Sequence, residues 1–276
     1  MGRFTGRTAL VTGASRGIGA AIAERLCAEG ADVVIVARTV DAHDHLPGSL
    51  NETLARCRRY GTRVEAIAAD LADADDRATI VPRTQEMFGG RLDIVVNNAA
   101  AAMYAKLSTF PLKRRRIIFE VNVHAPIDIA QAALPQMIER GEGWIVNLTS
   151  ASARLAEGPP YDQSGVTTTI GVYGASKAAL DRITNGLAVE LWGTGVRINT
   201  IGPKAMVASE GAMTLVGEHA HDYLIEPMET MVEGVIALCE CGPETTGKVL
   251  TSLGLLADLH RPAMTLDGTS VHTEAP

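Results

Sequence analysis

The stretch Thr8-Ala9-Leu10-Val11-Thr12-Gly13-Ala14-Ser15-Arg16-Gly17-Ile18-Gly19-Ala20-Ala21-Ile22-Ala23 decides the fold. Its opening is a short apolar run suited to a strand covered on both faces. Its close is Ala-rich and helical. Between them lie three glycines at Gly-x-x-x-Gly-x-Gly spacing. In a turn of this kind one glycine lets the chain reverse sharply, one lets the backbone approach a pyrophosphate, and one lets the helix pack on the sheet. The helix start then presents N–H groups and a positive dipole end to phosphate. Strand, glycine turn and helix in this order predict a dinucleotide site.

Working outward, the same alternation fills the chain. Apolar runs predict strands over 9–11, 32–37, 63–68, 92–97, 143–148, 197–201 and 248–253. Helical patterns lie between them over 18–29, 49–60, 74–88, 111–139, 173–192 and 228–240. Strict alternation implies parallel strands joined by right-handed crossovers. The expected fold is α/β: one doubly wound Rossmann domain over 1–276, with a seven-stranded parallel sheet flanked by helices. Two irregular stretches interrupt it. One is an enlarged loop at 153–172, rich in Gly, Pro, Ser and Thr, and the other a substrate lid at 204–227.

Composition narrows the function. Of 276 residues, 46% are hydrophobic and 4% aromatic, so the core is built from aliphatic side chains. A formal net charge of -7 lacks the basic footprint that nucleic acid needs. The run Lys113-Arg114-Arg115-Arg116 reads as a solvated helix face. Cys27, Cys57, Cys239 and Cys241 have neither disulfide nor zinc spacing. The His/Asp-rich stretch 41–48 reads as a solvated loop and not a metal site. No apolar stretch long enough for a membrane span occurs, and the expectation is a cytoplasmic protein with no membrane partner.

The second strand ends Val36-Ala37-Arg38-Thr39. An NAD site normally holds the ribose hydroxyls with an acid at this point. Arg38 would instead pair with a 2′-phosphate, and Arg16 in the glycine turn can reach the same group. Farther on, Tyr173 and Lys177 stand four apart, on one face of a helix. A free tyrosine titrates near 10, and an ammonium beside it would make it a better acid–base group at neutral pH.

These motifs resemble the classical short-chain dehydrogenase/reductase family, and the resemblance runs from Thr8 to about Leu255. It rests on the glycine spacing, on Asn97-Asn98-Ala99-Ala100 and on Tyr173-Gly174-Ala175-Ser176-Lys177. It implies a catalytic set of Asn122, Ser150, Tyr173 and Lys177. It implies cofactor contacts from Gly13, Ser15, Arg16, Gly17, Ile18, Gly19, Arg38, Asp70, Leu71, Asn97, Ala99, Pro203, Val207 and Ser209, besides Tyr173 and Lys177. Asp70 would take the adenine amino group, and Ser209 would lie near the nicotinamide amide. Asn122 would hold a water linking Lys177 to solvent.

The implied activity is hydride transfer between NADP(H), with NAD(H) as the second choice, and a ketone or secondary alcohol. The alternative is a catalytically silent NADP(H)-binding sensor or scaffold. The resemblance also implies a homotetramer or homodimer, paired through 111–139, 173–192 and the last strand. There are departures. Ala100 stands where the family has Gly, and Pro203-Lys204 where it has Pro-Gly, and the loop between Ser150 and Tyr173 is enlarged. The second of these, with the polar stretch after the second strand, resembles the hydroxysteroid dehydrogenase-like branch. Lys204 is a candidate for an anionic substrate group. Met206, Val207, Met213, Leu215 and Val216 suggest a bulky apolar substrate.

Overall fold

A computed structural model describes residues 2–41, 47–163, 166–204, 206–216 and 225–273. β1 (Thr8–Thr12) is buried along its whole length, because it pairs on both sides in the middle of the sheet. The glycine turn leads from it into α1 (Gly17–Ala28). There follow β2 (Asp32–Ala37), α2 (Leu50–Cys57), β3 (Val64–Ala68), α3 (Ala74–Met87) and β4 (Ile94–Asn97). α2 starts where Ser49 accepts a hydrogen bond from the Glu52 N–H at 3.1 Å, an N-cap legible in the Ser-x-x-Glu spacing.

The long helix expected over 111–139 has three parts. α4 (Leu112–Phe119) passes through a π-turn (Glu120–His124) into α5 (Ala125–Arg140). Lys113–Arg116 lie exposed along α4. After β5 (Gly143–Leu148), a single 3-10 turn (Ala151–Ala153) opens the enlarged loop, which ends at α6 (Gly171–Glu190).

β6 (Val196–Gly202) is followed by the stretch expected to be a lid. Its two ends pair as short parallel strands, β7 (Met206–Val207) and β8 (Ile225–Glu226), and α7 (Glu210–Val216) rises between them. Residues 205 and 217–224 of this lid lie outside the described residues, as do 164–165 of the loop and 42–46 of the polar stretch. α8 (Met228–Leu238), β9 (Val249–Thr251) and α9 (Ser252–Asp258) complete the order. The last strand was expected to reach 253. It stops at Thr251 because that side chain caps α9, accepting from the Gly254 N–H at 3.2 Å, and Leu255 and Leu256 then turn inward.

The sheet order is β3-β2-β1-β4-β5-β6-β9, all parallel. Its two faces carry separate cores, as period-two side chains require. Val11, Val33, Ile35, Val96 and Val146 pack under α1, α2 and α8. Leu10, Val34, Val36, Val95 and Ile145 pack under α3 and α5. The order of the strands reverses between β1 and β4, and a doubly wound sheet opens its binding crevice at the carboxyl ends of the strands flanking such a switch.

A buried ion network joins the two ends of the chain. Arg25 of α1 is closed to solvent and meets Glu233 of α8 at 2.8 Å. Arg261, beyond α9, meets the same carboxylate at 2.6 Å, and Arg3 reaches Glu29 and Glu240.

Candidate functional site

The glycine turn sits at the switch point. Gly13 has φ +66°, and a Cβ there would come within 2.7 Å of the Ala99 Cα, so a side chain is excluded by conformation and by space. Asn98 grips the same turn from β4. Its side-chain Nδ2 donates to the carbonyls of Thr12 at 2.9 Å and Gly13 at 3.1 Å, and its N–H donates to the Thr12 hydroxyl at 3.1 Å. α1 begins at Gly17 with no side-chain cap and no acid in its first turn. A cradle closed to any Cβ, opening onto a helix start that no side chain caps, fits a dinucleotide pyrophosphate. Ser15 is buried in the turn, and Ile18 packs half-buried on the core beneath it.

At the ends of β2 and β3, Arg38 is 73% exposed and its Nη1 lies 3.9 Å from Asp70. Asp70 also accepts from the Ala72 N–H at 3.0 Å. The Arg16 guanidinium donates to the carbonyls of Pro47 at 2.8 Å and Gly48 at 3.0 Å, which fastens the chain after β2 to the glycine turn. Leu71 turns its side chain into the core, and its carbonyl accepts from Arg77 at 2.9 Å. Of the pair ending β4, Asn97 points into the protein, where its Nδ2 donates to Asn147 at 2.8 Å. Asn98, not singled out from the sequence, is the one that touches the turn. Strand alternation could have found it, since adjacent residues face opposite sides. Ala99 lies against Gly13.

α6 carries the second half of the site. It presses close to the 3-10 turn because Gly174 lacks a Cβ, which would stand 2.3 Å from the Ser152 carbonyl oxygen. This brings Tyr173, in the first turn of α6, beside the Ser150 hydroxyl just past the end of β5. The Ser150 Oγ also accepts from the N–H and the hydroxyl of Ser152, at 3.2 and 2.9 Å. Lys177 is almost fully buried; its Nζ donates to the Leu148 carbonyl at 2.7 Å and lies 5.8 Å from the centre of the Tyr173 ring. Tyr104, also missed from the sequence, packs its ring 6.2 Å from that of Tyr173.

Burial pushes the Tyr173 hydroxyl well above its ordinary range; Tyr104 adds to this and Ser150 opposes it. The lowering expected from a neighbouring ammonium is not supplied by the polypeptide alone, because Lys177 is turned to Leu148. Burial brings Lys177 itself down to about 8, with Asp181 working the other way. Asn122 is wholly buried in the π-turn. Its amide accepts from the Ala101 N–H at 2.8 Å and donates to the Ala101 carbonyl and the Ser176 hydroxyl, both at 3.0 Å. A water on this route would therefore take the remaining lone pair of Asn122 or a carbonyl of the π-turn.

The lid brings Ser209 over the glycine turn. Its Cβ lies 3.2 Å from where a Gly17 Cβ would stand, and its hydroxyl accepts from the Ala212 N–H at 3.3 Å. Val207 is buried, Pro203 is half-buried, and the Lys204 N–H donates to Glu226 at 3.0 Å, anchoring the base of the lid. Tyr161, in the enlarged loop, is exposed.

Residues 7–216 match the family described as short chain dehydrogenase. An uncharacterized oxidoreductase of Staphylococcus aureus strain USA300 is 33% identical over 200 residues, covering 72% of this chain and 78% of that protein. A short chain dehydrogenase of Mycobacterium thermoresistibile superposes with a TM-score of 0.80 at 27% identity, covering 99% of this chain and 96% of that one. The short chain dehydrogenase of Burkholderia cenocepacia J2315, solved in complex with NADP, gives 0.75 at 33% identity over 90% of this chain and 97% of that one. The match takes in β1 through α7, and with it the glycine cradle, Ser150, Tyr173 and Lys177, so the chain belongs to the short-chain dehydrogenase family of oxidoreductases.

Proposed function

We propose that the protein is an NADP(H)-dependent oxidoreductase acting on a ketone or secondary alcohol, with Asn122, Ser150, Tyr173 and Lys177 as its catalytic set. The observation that carries this reading is the meeting of Ser150, Tyr173 and Lys177 at the carboxyl end of the sheet, beside the glycine cradle. Gly13, Ser15, Gly17, Ile18 and Gly19 would hold the pyrophosphate, Asp70 and Leu71 the adenine side, and Asn97, Ala99, Pro203, Val207 and Ser209 the remainder. Bound there, the dinucleotide supplies or accepts the hydride.

The side chains manage the oxygen and its proton. Ser150 donates a hydrogen bond to the substrate oxygen, which strengthens as negative charge grows on it. In reduction the Tyr173 hydroxyl gives its proton to that oxygen, and in oxidation the phenolate takes it back. Lys177 would swing from the Leu148 carbonyl toward the cofactor ribose, where its charge offsets the burial of the phenolate. Asn122 holds the π-turn against α6 and borders the route by which the proton is replaced from solvent.

NADP(H) is favoured over NAD(H) by Arg38 and Arg16 at the ribose end, and a solved relative binds NADP. Bulky apolar substrates suit the exposed Leu107 and Leu155, before and after β5, and Met213 on α7 of the lid. Val189 at the end of α6, Trp192 in the turn just beyond it and Val249 on the edge strand β9 are large exposed apolar groups that a homodimer or homotetramer would cover. The reading is tested by NADPH oxidation against a panel of aldehydes, aliphatic ketones and fused-ring ketones. Tight NADPH binding with no turnover across the panel would favour the sensor reading instead.

A further inference from the structure

α6 lays a polar stripe on an otherwise aliphatic sheet. Asn97, Asn147 and Thr200 stand in register across β4, β5 and β6, so their side chains share one face. Asn147 donates to Thr184 of α6 at 2.8 Å, which identifies that face as the one under the helix. Thr149, two residues beyond Asn147, and Thr200 both lie beside the carboxylate of Asp181. Yet the Thr149 and Thr200 hydroxyls and the Asp181 Oδ1 are each closed to solvent, and none completes a hydrogen bond of ordinary geometry. Asp181 is therefore a half-buried acid whose neutral partners hold it only loosely. One helical turn away on the same face is Lys177, buried, with a backbone carbonyl as its hydrogen-bond acceptor.

We propose that Asp181 is a positioning residue for the reaction, the counter-charge beneath α6 that keeps the buried Lys177 ammonium protonated. This rests on the roles given above to Tyr173 and Lys177. Removed from water, an ammonium sheds its proton unless an opposite charge stands close by. A neutral Lys177 would leave a Tyr173 phenolate buried without its cation. Asp181 prevents this without touching substrate; burial raises its own hold on a proton, and Thr149, Thr200 and the Lys177 ammonium oppose that rise.

Among the described residues no other charged group bears on Lys177. Glu120 and His124 on the π-turn, Lys113–Arg116 on α4, Arg197 on β6 and Arg182 on α6 act on neither Lys177 nor Asp181. Glu120 is engaged by Arg77 at 3.0 Å.

The test is a titration of Lys177 in the full-length protein without added nucleotide, read from the 13Cε shift of labelled lysine and assigned with Lys177→Met. Asp181→Asn keeps the shape and removes the charge. The Lys177 midpoint should then fall by about one unit or more, and Asp181→Glu should restore most of it. The alkaline limb of the kcat profile should move to lower pH in the same variant. Were Asp181→Asn not to fold, Thr149→Val with Thr200→Val would destabilise the Asp181 carboxylate and give a smaller fall in the same direction. An unchanged Lys177 midpoint in a folded Asp181→Asn protein, or in the double Val variant if that one is used, overturns the proposal. Failure of the catalytic reading would show differently, as a Tyr173→Phe enzyme that still turns over.

Discussion

Replacing Arg38 by Ala should weaken NADPH binding about 5- to 30-fold and leave NADH binding nearly unchanged. The size follows from where Arg38 stands. A charge-assisted hydrogen bond to a 2′-phosphate contributes about 1.5–3 kcal/mol. Arg38 is 73% exposed and already faces Asp70 at 3.9 Å, and to reach a phosphate it must loosen that pair. An exposed pair of this kind is worth about 0–1 kcal/mol, so the net gain centres on about 1–2 kcal/mol. Exposure also makes the gain sensitive to salt, and the NADPH preference of the wild type should shrink as ionic strength rises past the point where the Debye length is about 8 Å. Arg38→Asp should cost more than Arg38→Ala, since it sets a second carboxylate beside Asp70. Fluorescence titration of both nucleotides against all three proteins at two salt concentrations measures each of these effects. Equal wild-type affinity for NADPH and NADH, or an Arg38→Ala protein that loses both equally, would refute the assignment of Arg38 to the ribose phosphate.

Tyr173→Phe removes one hydroxyl far from Arg38; kcat should fall about 10²–10⁴-fold while the NADPH dissociation constant stays put, and near-normal turnover would end the case for this residue. Lys177 also leaves a trace in stability. Its proton is held more weakly in the fold, at about 8 against 10.5 for the free group, so below pH 8 the folded state bears the cost of a buried ammonium. Between about 8 and 10.5 the unfolded chain binds more protons, and this residue's contribution to stability rises with pH by about 3 kcal/mol in all. Urea unfolding of wild type and Lys177→Met across this window should show the difference between them growing in that direction; a constant difference contradicts it. Light scattering should give two or four times the 29.1 kDa chain mass, and Trp192→Glu should lower it; a monomer mass for the wild type at micromolar concentration argues against a homo-oligomer.

Much of the fold was legible because parallel strands buried on both faces are written as unbroken aliphatic runs, and β1, β2, β4 and β5 have no competing reading. Where a side chain served two purposes the sequence misled. Lys248 through Leu253 looks like one strand, but the Thr251 hydroxyl turns the chain into α9. The glycine cradle and the Tyr173–Lys177 pair could be found because local spacing fixes them. Asn98 was legible only through the alternation at the end of β4, and Asp181 was not legible at all, because its importance comes from what β5 and β6 bring to it. The same holds for Asn97 and Leu71, whose side chains the sheet turns inward. The upward pull on Tyr173 in the polypeptide alone is hidden from the sequence for a related reason. Proximity along α6 says that Lys177 is near, but not that the Leu148 carbonyl holds its ammonium.

The ion network between Arg25, Glu233 and Arg261 sets a constraint on the order of synthesis. A ribosome delivers α1 about two hundred residues before the carboxylate that neutralises it. Until then Arg25 has Glu29 within reach on its own helix, which suffices in water but not in a closed core. The nascent chain should therefore keep α1 loosely docked and accessible to protease throughout translation. It should become resistant only in one late step, when α8 and the segment carrying Arg261 arrive together. Chains halted just before Glu233 should accumulate as chaperone clients even though most strands of the sheet have already been made.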